Sequence, residues 1–244
     1  MGLFEGIGGF SLAARWAGWN TPVMVEWDTY CQAVLKKNFP DATIFSDIRN
    51  FDGTSYAGQI DIITGGFPCQ PFSTAGKRSG TDDDRYLWPE MLRVIREVAP
   101  AWVVGENVAG LLSMDGGRVF AGILADLENA GYSTEVYTIP AIGLGAPHRR
   151  ERVWIVAHSE KVNDCRNAGE FSKEDGRQER NNLPKPCGTN QIPAWDEHFI
   201  GVAPELCRIC YGVPDWMDAI EALGNAIVPQ IAYEIFKAIN QKIK

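Results

Sequence analysis

Between residues 1 and 157, short apolar runs alternate with stretches whose apolar residues recur at helical spacing. This alternation restricts the fold more than any other feature of the chain. Leu3-Phe4 leads into a glycine turn, and residues 22–27 (PVMVEW), 43–45, 59–64, 101–105 (AWVVG), 132–140 and 152–157 (RVWIVA) read as strands. Residues 10–17, 29–38, 87–98, 119–130 and 230–242 read as helices. In 87–98 the apolar positions Leu87, Met91, Val94, Ile95 and Val98 lie on one face, and Pro100 stops the helix. Strands that alternate with helices predict an α/β fold, a doubly wound and mostly parallel sheet. From residue 158 to about 192 the texture changes to Asn, Gly, Lys, Arg and Glu with no period. This reads as an insertion of irregular structure. No internal repeat is present.

The 244 residues suit one large domain with a modest insertion, and 45% apolar with 22% charged residues is ordinary for a soluble globular protein. No apolar run is long enough to span a bilayer, and the N-terminus lacks a basic-then-apolar leader, so a cytoplasmic protein is expected. Six cysteines in such a chain do not predict a disulfide framework. The net charge of −8 argues against wholesale coating by nucleic acid. Residues 147–185, however, carry a net +2 while both flanks are negative, and a local basic face can still meet phosphates. Composition alone favours a solvated charged loop.

Most predicted strands end on residues with chemical potential. The first ends in Phe4-Glu5-Gly6-Ile7-Gly8-Gly9, where glycines allow close backbone approach and a helix start offers free N–H donors. The spacing is not the dinucleotide fingerprint. The second ends in Glu26-Trp27-Asp28, a carboxylate suited to ribose hydroxyls beside a stacking indole; the third ends in Asp47-Ile48. Gly turn, acid plus aromatic, then acid, in that order, outline a pocket for a single nucleoside. The fourth ends in TGGFPCQPFSTAG, which holds Cys69 between two prolines. The residue is either a small core thiol or a fixed nucleophile, whose thiolate a following helix would favour. The fifth ends in Gly105-Glu106-Asn107-Val108, where a glutamate can protonate a base ring. Arg150 and Arg152 stand at the start of the last strand and are expected to point to opposite faces if the strand has begun there. Cys207-x-x-Cys210 is half of a zinc pattern, but Cys165 and Cys187 stand singly, and no metal is expected.

Together these stretches resemble the cytosine-C5 DNA methyltransferase family of bacterial and phage restriction–modification systems. FEGIGG, VEWD, SDIR, GGFPCQPFS, GENV, RRERVW and GNAIVP stand in that family's order, and only residues 158–205 or so lie outside the likeness. The resemblance implies a Rossmann-like, S-adenosyl-L-methionine-dependent methyltransferase fold with a seven-stranded sheet. Residues 1–157 plus 221–244 would form the catalytic and cofactor-binding domain, and 158–220 a small target-recognition region. It implies that Cys69 attacks C6 of a flipped-out cytosine, that Glu106 holds the N3 edge, and that Arg150 and Arg152 support the site. It assigns Phe4, Gly6, Gly8, Glu26, Trp27, Asp47, Ile48, Pro68, Leu87 and Asn225 to the cofactor, whose product is S-adenosyl-L-homocysteine. It assigns Gln70, Ser73, Lys77, Arg78 and Asn107 to DNA or to the loop that closes over it. Asn225 would bring the C-terminal segment beside the first glycine turn. Double-stranded DNA is the implied partner, with a cognate restriction endonuclease in the same system, for a monomer in a prokaryotic or phage-infected cell. An RNA-methylating relative and a catalytically silent regulator are the alternatives. Three features depart from the family's pattern. His148 stands where the family usually has Gln, only three residues precede Phe4, and the insertion is small.

Overall fold

The computed structural model describes residues 1–69, 86–159 and 222–243. They form one seven-stranded sheet in the order β3-β2-β1-β4-β5-β7-β6. The strands are β1 (Gly2–Leu3), β2 (Val23–Val25), β3 (Thr43–Phe45), β4 (Ile62–Gly65), β5 (Trp102–Val108), β6 (Tyr132–Pro140) and β7 (Glu151–Ser159). β1 to β5 pair in parallel, while β7 runs antiparallel between β5 and β6. The doubly wound, mostly parallel α/β sheet predicted from the alternation is therefore present. The chain reverses direction across the sheet between β1 and β4, the switch point where open α/β sheets bind ligands.

Helices cover both faces, which is why the central strands read as continuous apolar runs. On one face α3 (Trp88–Val98) and α4 (Arg118–Asn129) join β1, β4 and β5 in a core containing Leu3, Ile63, Met91, Ile95, Val103 and Ile123. On the other, α1 (Gly9–Trp16) packs against the C-terminal helix α5 (Pro229–Ile243) through Phe10, Ala13, Ile231 and Phe236. Trp19 Nε1 donates to Asn240 Oδ1 at 2.9 Å, which ties the two ends of the chain together. α2 (Thr29–Asn38) follows β2 and is capped by Asp28, whose carboxylate accepts from the Cys31 N–H.

α3 shows how sequence becomes packing. Pro89 suits a first helical turn, and Met91, Val94, Ile95 and Val98 recur at helical spacing, all of them buried. Each such side chain contributes roughly 1.5–3 kcal/mol of hydrophobic stabilisation. The helix ends at Ala99, in the left-handed region at φ 49°, just before Pro100. Several strands differ by a few residues from their predicted extents. β2 is confined to Val23–Val25, and β5 continues to Val108 rather than ending at Gly105. The reason for the second is β7, whose antiparallel ladder from Trp102↔His158 to Val108↔Arg152 satisfies the backbone beyond the parallel part of the sheet.

Candidate active site

The register of the sheet gathers the predicted residues. Leu3 pairs with Val25 and with Gly65, Val25 with Phe45, and Gly65 with Gly105. The residues just beyond these partners therefore leave the carboxyl edge side by side: Phe4, Glu26, Ser46-Asp47, Gly66 and Glu106. Their spacing along the chain carries no trace of this line, which the pairing alone creates.

The glycine turn after β1 is held from beneath. Gly8 stands at φ 94°, and a Cβ there would come within 2.6 Å of the Phe39 ring, so the position needs glycine. Among the described residues, no heavy atom beyond its chain neighbours lies within 4 Å of where a Cβ on Gly6 (φ 58°) would sit, so open space adjoins the turn. Glu26 Oε2 accepts from the Gly6 N–H at 2.6 Å and Oε1 from the Asp28 N–H at 2.8 Å. Burial pushes the Glu26 carboxyl above its ordinary value, against the pull of these backbone donors. Each oxygen retains capacity for a further donor. Trp27 beside it is 67% exposed, with Arg49 over its ring at 5.1 Å.

The third strand end is more heavily committed to its own loop. Asp47 caps the short turn Ile48–Asn50 and pairs with Arg49 at 3.1 Å, and Asn50 Nδ2 reaches its other oxygen. Hydrogen bonding from the Arg49 side chain holds the Asp47 carboxyl below its usual range. Ile48 lies in the core beside Phe51 and Ile60.

A feature the sequence did not single out as buried is Glu5. Gly8 offers no side-chain cap to α1, and Glu5 Oε1 takes that place by accepting from the Ser11 N–H at 2.9 Å. Its Oε2 is buried without a hydrogen-bond partner, and burial pushes its pKa up to about 7.

Cys69 lies four residues beyond the end of β4 and is 5% exposed. It bridges to Tyr86, and the Leu87 N–H reaches the Pro68 carbonyl, so residues 68–69 and 86–87 are drawn together. Its thiol donates to Asn107 Oδ1 at 2.9 Å. Asn107 also accepts from the Val108 N–H and donates through Nδ2 to the Phe67 carbonyl at 2.8 Å. Asn107, expected among the residues assigned to DNA or its closing loop, is buried and braces the segment that carries Cys69. A thiolate-favouring environment was expected around Cys69. Among the described residues burial pushes the thiol up, Asn107 draws it down, and the nearby Glu106 carboxyl pushes it up again. The segment expected to lower it lies outside those residues.

Glu106 is 8% exposed and pairs with Arg152 Nε at 3.1 Å. Burial outweighs the attraction of Arg152 and Arg150 and raises its pKa to about 7, so near neutrality the carboxyl holds a proton in a large share of molecules. Arg150 lies before β7 and Arg152 within it, so strand alternation does not relate the two side chains, and both guanidinium groups act on Glu106. Arg150 precedes β7 at φ 30° and donates through Nη2 to the carbonyls of Gly224 and Ala226 at 2.8 and 2.6 Å. It thereby fixes the backbone on either side of the exposed Asn225. Beyond it Ile227 fills the space beside Gly9, where a Cβ would meet it at 2.6 Å, so the C-terminal segment lies against the glycine turn. Gln70, Ser73, Lys77 and Arg78 lie outside the described residues, as do Cys165, Cys187, Cys207 and Cys210.

This strand order, with its glycine turn, acidic strand ends and antiparallel seventh strand, is the Rossmann-like fold of S-adenosylmethionine-dependent methyltransferases. Residues 1–195 match the family C-5 cytosine-specific DNA methylase, and the chain belongs to that family. It is 43% identical over 159 residues to the Type II methyltransferase M.PspPI of Psychrobacter sp., covering 63% of this chain and 38% of that protein. It is 33% identical over 162 residues to the Type II methyltransferase M.HhaI of Haemophilus parahaemolyticus, covering 66% of this chain and 49% of that one. Among solved structures, a putative DNA modification methyltransferase encoded within an Escherichia coli prophage matches with TM-score 0.57 and 27% identity, covering 66% of this chain and 47% of that one. A DNMT2 of Spodoptera frugiperda shares the fold at TM-score 0.57 and 22% identity, over 66% of this chain and 50% of that one. The chain thus spans less than half the length of M.PspPI and of M.HhaI. No helix among the described residues is long and apolar enough to cross a membrane.

Proposed function

We propose that this chain carries the catalytic site of a site-specific DNA cytosine-C5 methyltransferase of the restriction–modification type, acting through a covalent bond between Cys69 and C6 of a flipped-out cytosine. The observation that supports this best is the Cys69–Asn107–Glu106–Arg152 cluster. A buried thiol just beyond β4 and a buried carboxyl within the neighbouring β5 meet beside a glycine turn. Membership of the family and the names of the Type II relatives point the same way.

The residues present fit an S-adenosylmethionine cofactor. Glu26, with spare acceptor capacity, suits the ribose hydroxyls; the exposed Trp27 indole suits the adenine; Gly6 leaves room for the methionine end. Phe4, Asp47, Ile48, Pro68, Leu87 and Asn225 border this region on the family's pattern. Bound there, the cofactor supplies the methyl group that C5 takes up and leaves as S-adenosylhomocysteine.

The chain's own residues account for the activation of the base. The target atom is out of reach inside a duplex, so the cytosine is extruded into the site. Protonated Glu106 donates to N3, and Arg152 keeps its other oxygen in place. The Cys69 thiol gives its proton to solvent, the sulfur bonds to C6 as N3 takes the Glu106 proton, and the displaced electron pair of the C5–C6 bond collects at C5. After methylation the C5 proton passes to solvent water, the C5–C6 double bond re-forms as the sulfur departs as thiolate, and N3 returns its proton to Glu106. Asn107 holds the sulfur in line through Phe67 and Val108. Residues 158–220 are the proposed target-recognition region, double-stranded DNA the substrate and a cognate endonuclease the functional partner. The experiment is transfer of a radiolabelled methyl group to mixed-sequence DNA, followed by bisulfite sequencing. Label on cytosine C5 at one short sequence is the expected result. Label on tRNA alone, or binding of cofactor without transfer, refutes this reading.

A further inference from the structure

The loop that carries Asp47 and Ile48 is fastened to α3 by one arginine that touches neither the open space nor the thiol. Arg93 Nη2 donates to the Ile48 carbonyl at 2.6 Å and Nη1 to the Phe51 carbonyl at 2.9 Å. The same guanidinium pairs along its own helix with Glu90 at 2.9 Å and Glu97 at 2.7 Å. Glu97 completes the clamp, because its Oε2 accepts from the Gly53 N–H at 2.8 Å. The fit at that point is close, since a Cβ on Gly53 would stand 3.0 Å from both Glu97 Oε2 and the Val98 side chain. Two carbonyls and one N–H of residues 48–53 therefore end on a single pair of side chains, one helical turn apart on α3.

We propose that Arg93 is a positioning residue for the adenosine end of the cofactor site, setting cofactor affinity through the Ile48–Gly53 loop without touching the cofactor. The proposal rests on the reading of that site as one for S-adenosylmethionine. Its physical basis is the planar fork of arginine, which meets two carbonyls and two carboxylates at fixed angles. A lysine keeps the charge but offers one compact ammonium, which cannot span both carbonyls while it pairs with both acids. Loosening this clamp frees Asp47 and Ile48 while Cys69, Glu106 and Arg152 stay in place, because those are held by β5 and β7. The effect should therefore fall on binding and not on the chemical step.

The test uses the full chain and its Arg93→Lys and Arg93→Met variants. S-adenosylhomocysteine binding is measured by calorimetry, and methyl transfer to DNA at varied cofactor concentration. The expected result is binding of S-adenosylhomocysteine about tenfold weaker in Arg93→Lys, with KM for the cofactor raised to match and kcat within about twofold of wild type. Amide exchange should speed up at Asn50, Phe51 and Gly53 and stay unchanged in β4 and β5. If Arg93→Met does not fold, Arg93→Lys carries the test alone. Unchanged affinity in Arg93→Lys overturns the proposal, and so does a fall in kcat as large as the loss of affinity. Wild-type protein that binds no S-adenosylhomocysteine overturns the cofactor reading together with the proposal.

Discussion

Asn107 Oδ1 lies 2.9 Å from the Sγ of Cys69, and the same side-chain amide donates to the Phe67 carbonyl at 2.8 Å. One buried amide thus holds both the Cys69 thiol and the backbone two residues before it. Replacing it with alanine leaves the Phe67 carbonyl and the Val108 N–H without this partner, at a cost of roughly 1–3 kcal/mol for each group that stays buried and unpaired. Asn107→Ala is therefore expected to lower the melting temperature. It is also expected to slow methyl transfer more than tenfold while S-adenosylhomocysteine binding changes little. Thermal melts, kinetics and calorimetry on one preparation check this.

The environment of Cys69 predicts a slow thiol. Burial outweighs the Asn107 contact, and Glu106 adds to the rise. Iodoacetamide should alkylate Cys69 near neutral pH far more slowly than it does a free cysteine in solution. The rate should climb as pH passes the ordinary thiol range. Peptide mapping separates Cys69 from the other cysteines.

Glu106 makes stability depend on pH in a set direction. Its folded pKa is about 7 against an ordinary 4.5. Below 4.5 the carboxyl is neutral in both states, and its favourable share is fully present. Between these values the unfolded chain gives up its proton first, so stability falls as pH rises through 7 and levels off above. The loss is on the order of 3 kcal/mol at most. Glu106→Gln should flatten this part of the profile while abolishing methyl transfer. The part due to Glu5, shifted in the same direction to about 7, should persist. Denaturant midpoints at pH 5, 6, 7 and 8 measure both.

Two glycines of one turn are expected to fail differently. Gly8→Ala drives a Cβ into the Phe39 ring from a left-handed backbone, and should cost about 2 kcal/mol or more of stability. Gly6→Ala meets no protein atom, costs about 1 kcal/mol of backbone strain, and places its methyl in the open space. It should weaken cofactor binding more than it weakens the fold. Melting curves with and without S-adenosylhomocysteine distinguish the two.

The residues read most easily from sequence were those on strand ends. Parallel strands covered on both faces appear as apolar runs, and the residues after each run leave the same edge of the sheet. Glu26, Cys69 and Glu106 could be picked out for that reason. Arg93 could not, because the carbonyls it holds lie more than 40 residues away, and no side-chain pattern marks a backbone carbonyl. The extension of β5, the pairing of Arg152 with Glu106 and the grip of Arg150 on Gly224 and Ala226 all depend on where β7 docks. The burial of Glu5 arises from its capping of α1 in place of Gly8, a choice made by the turn's geometry.

Covalent trapping tests the role of Cys69 most directly. DNA in which 5-fluorocytosine replaces cytosine is incubated with the protein and S-adenosylmethionine, then resolved under denaturing conditions. The fluorine cannot leave C5 as a proton does, so the sulfur–C6 bond persists after methylation. A protein–DNA adduct at Cys69 with wild type, and none with Cys69→Ser, is the predicted result. Trapping of Cys69→Ser to the same extent, or methylation of ordinary DNA by Cys69→Ser at the wild-type rate, would contradict it.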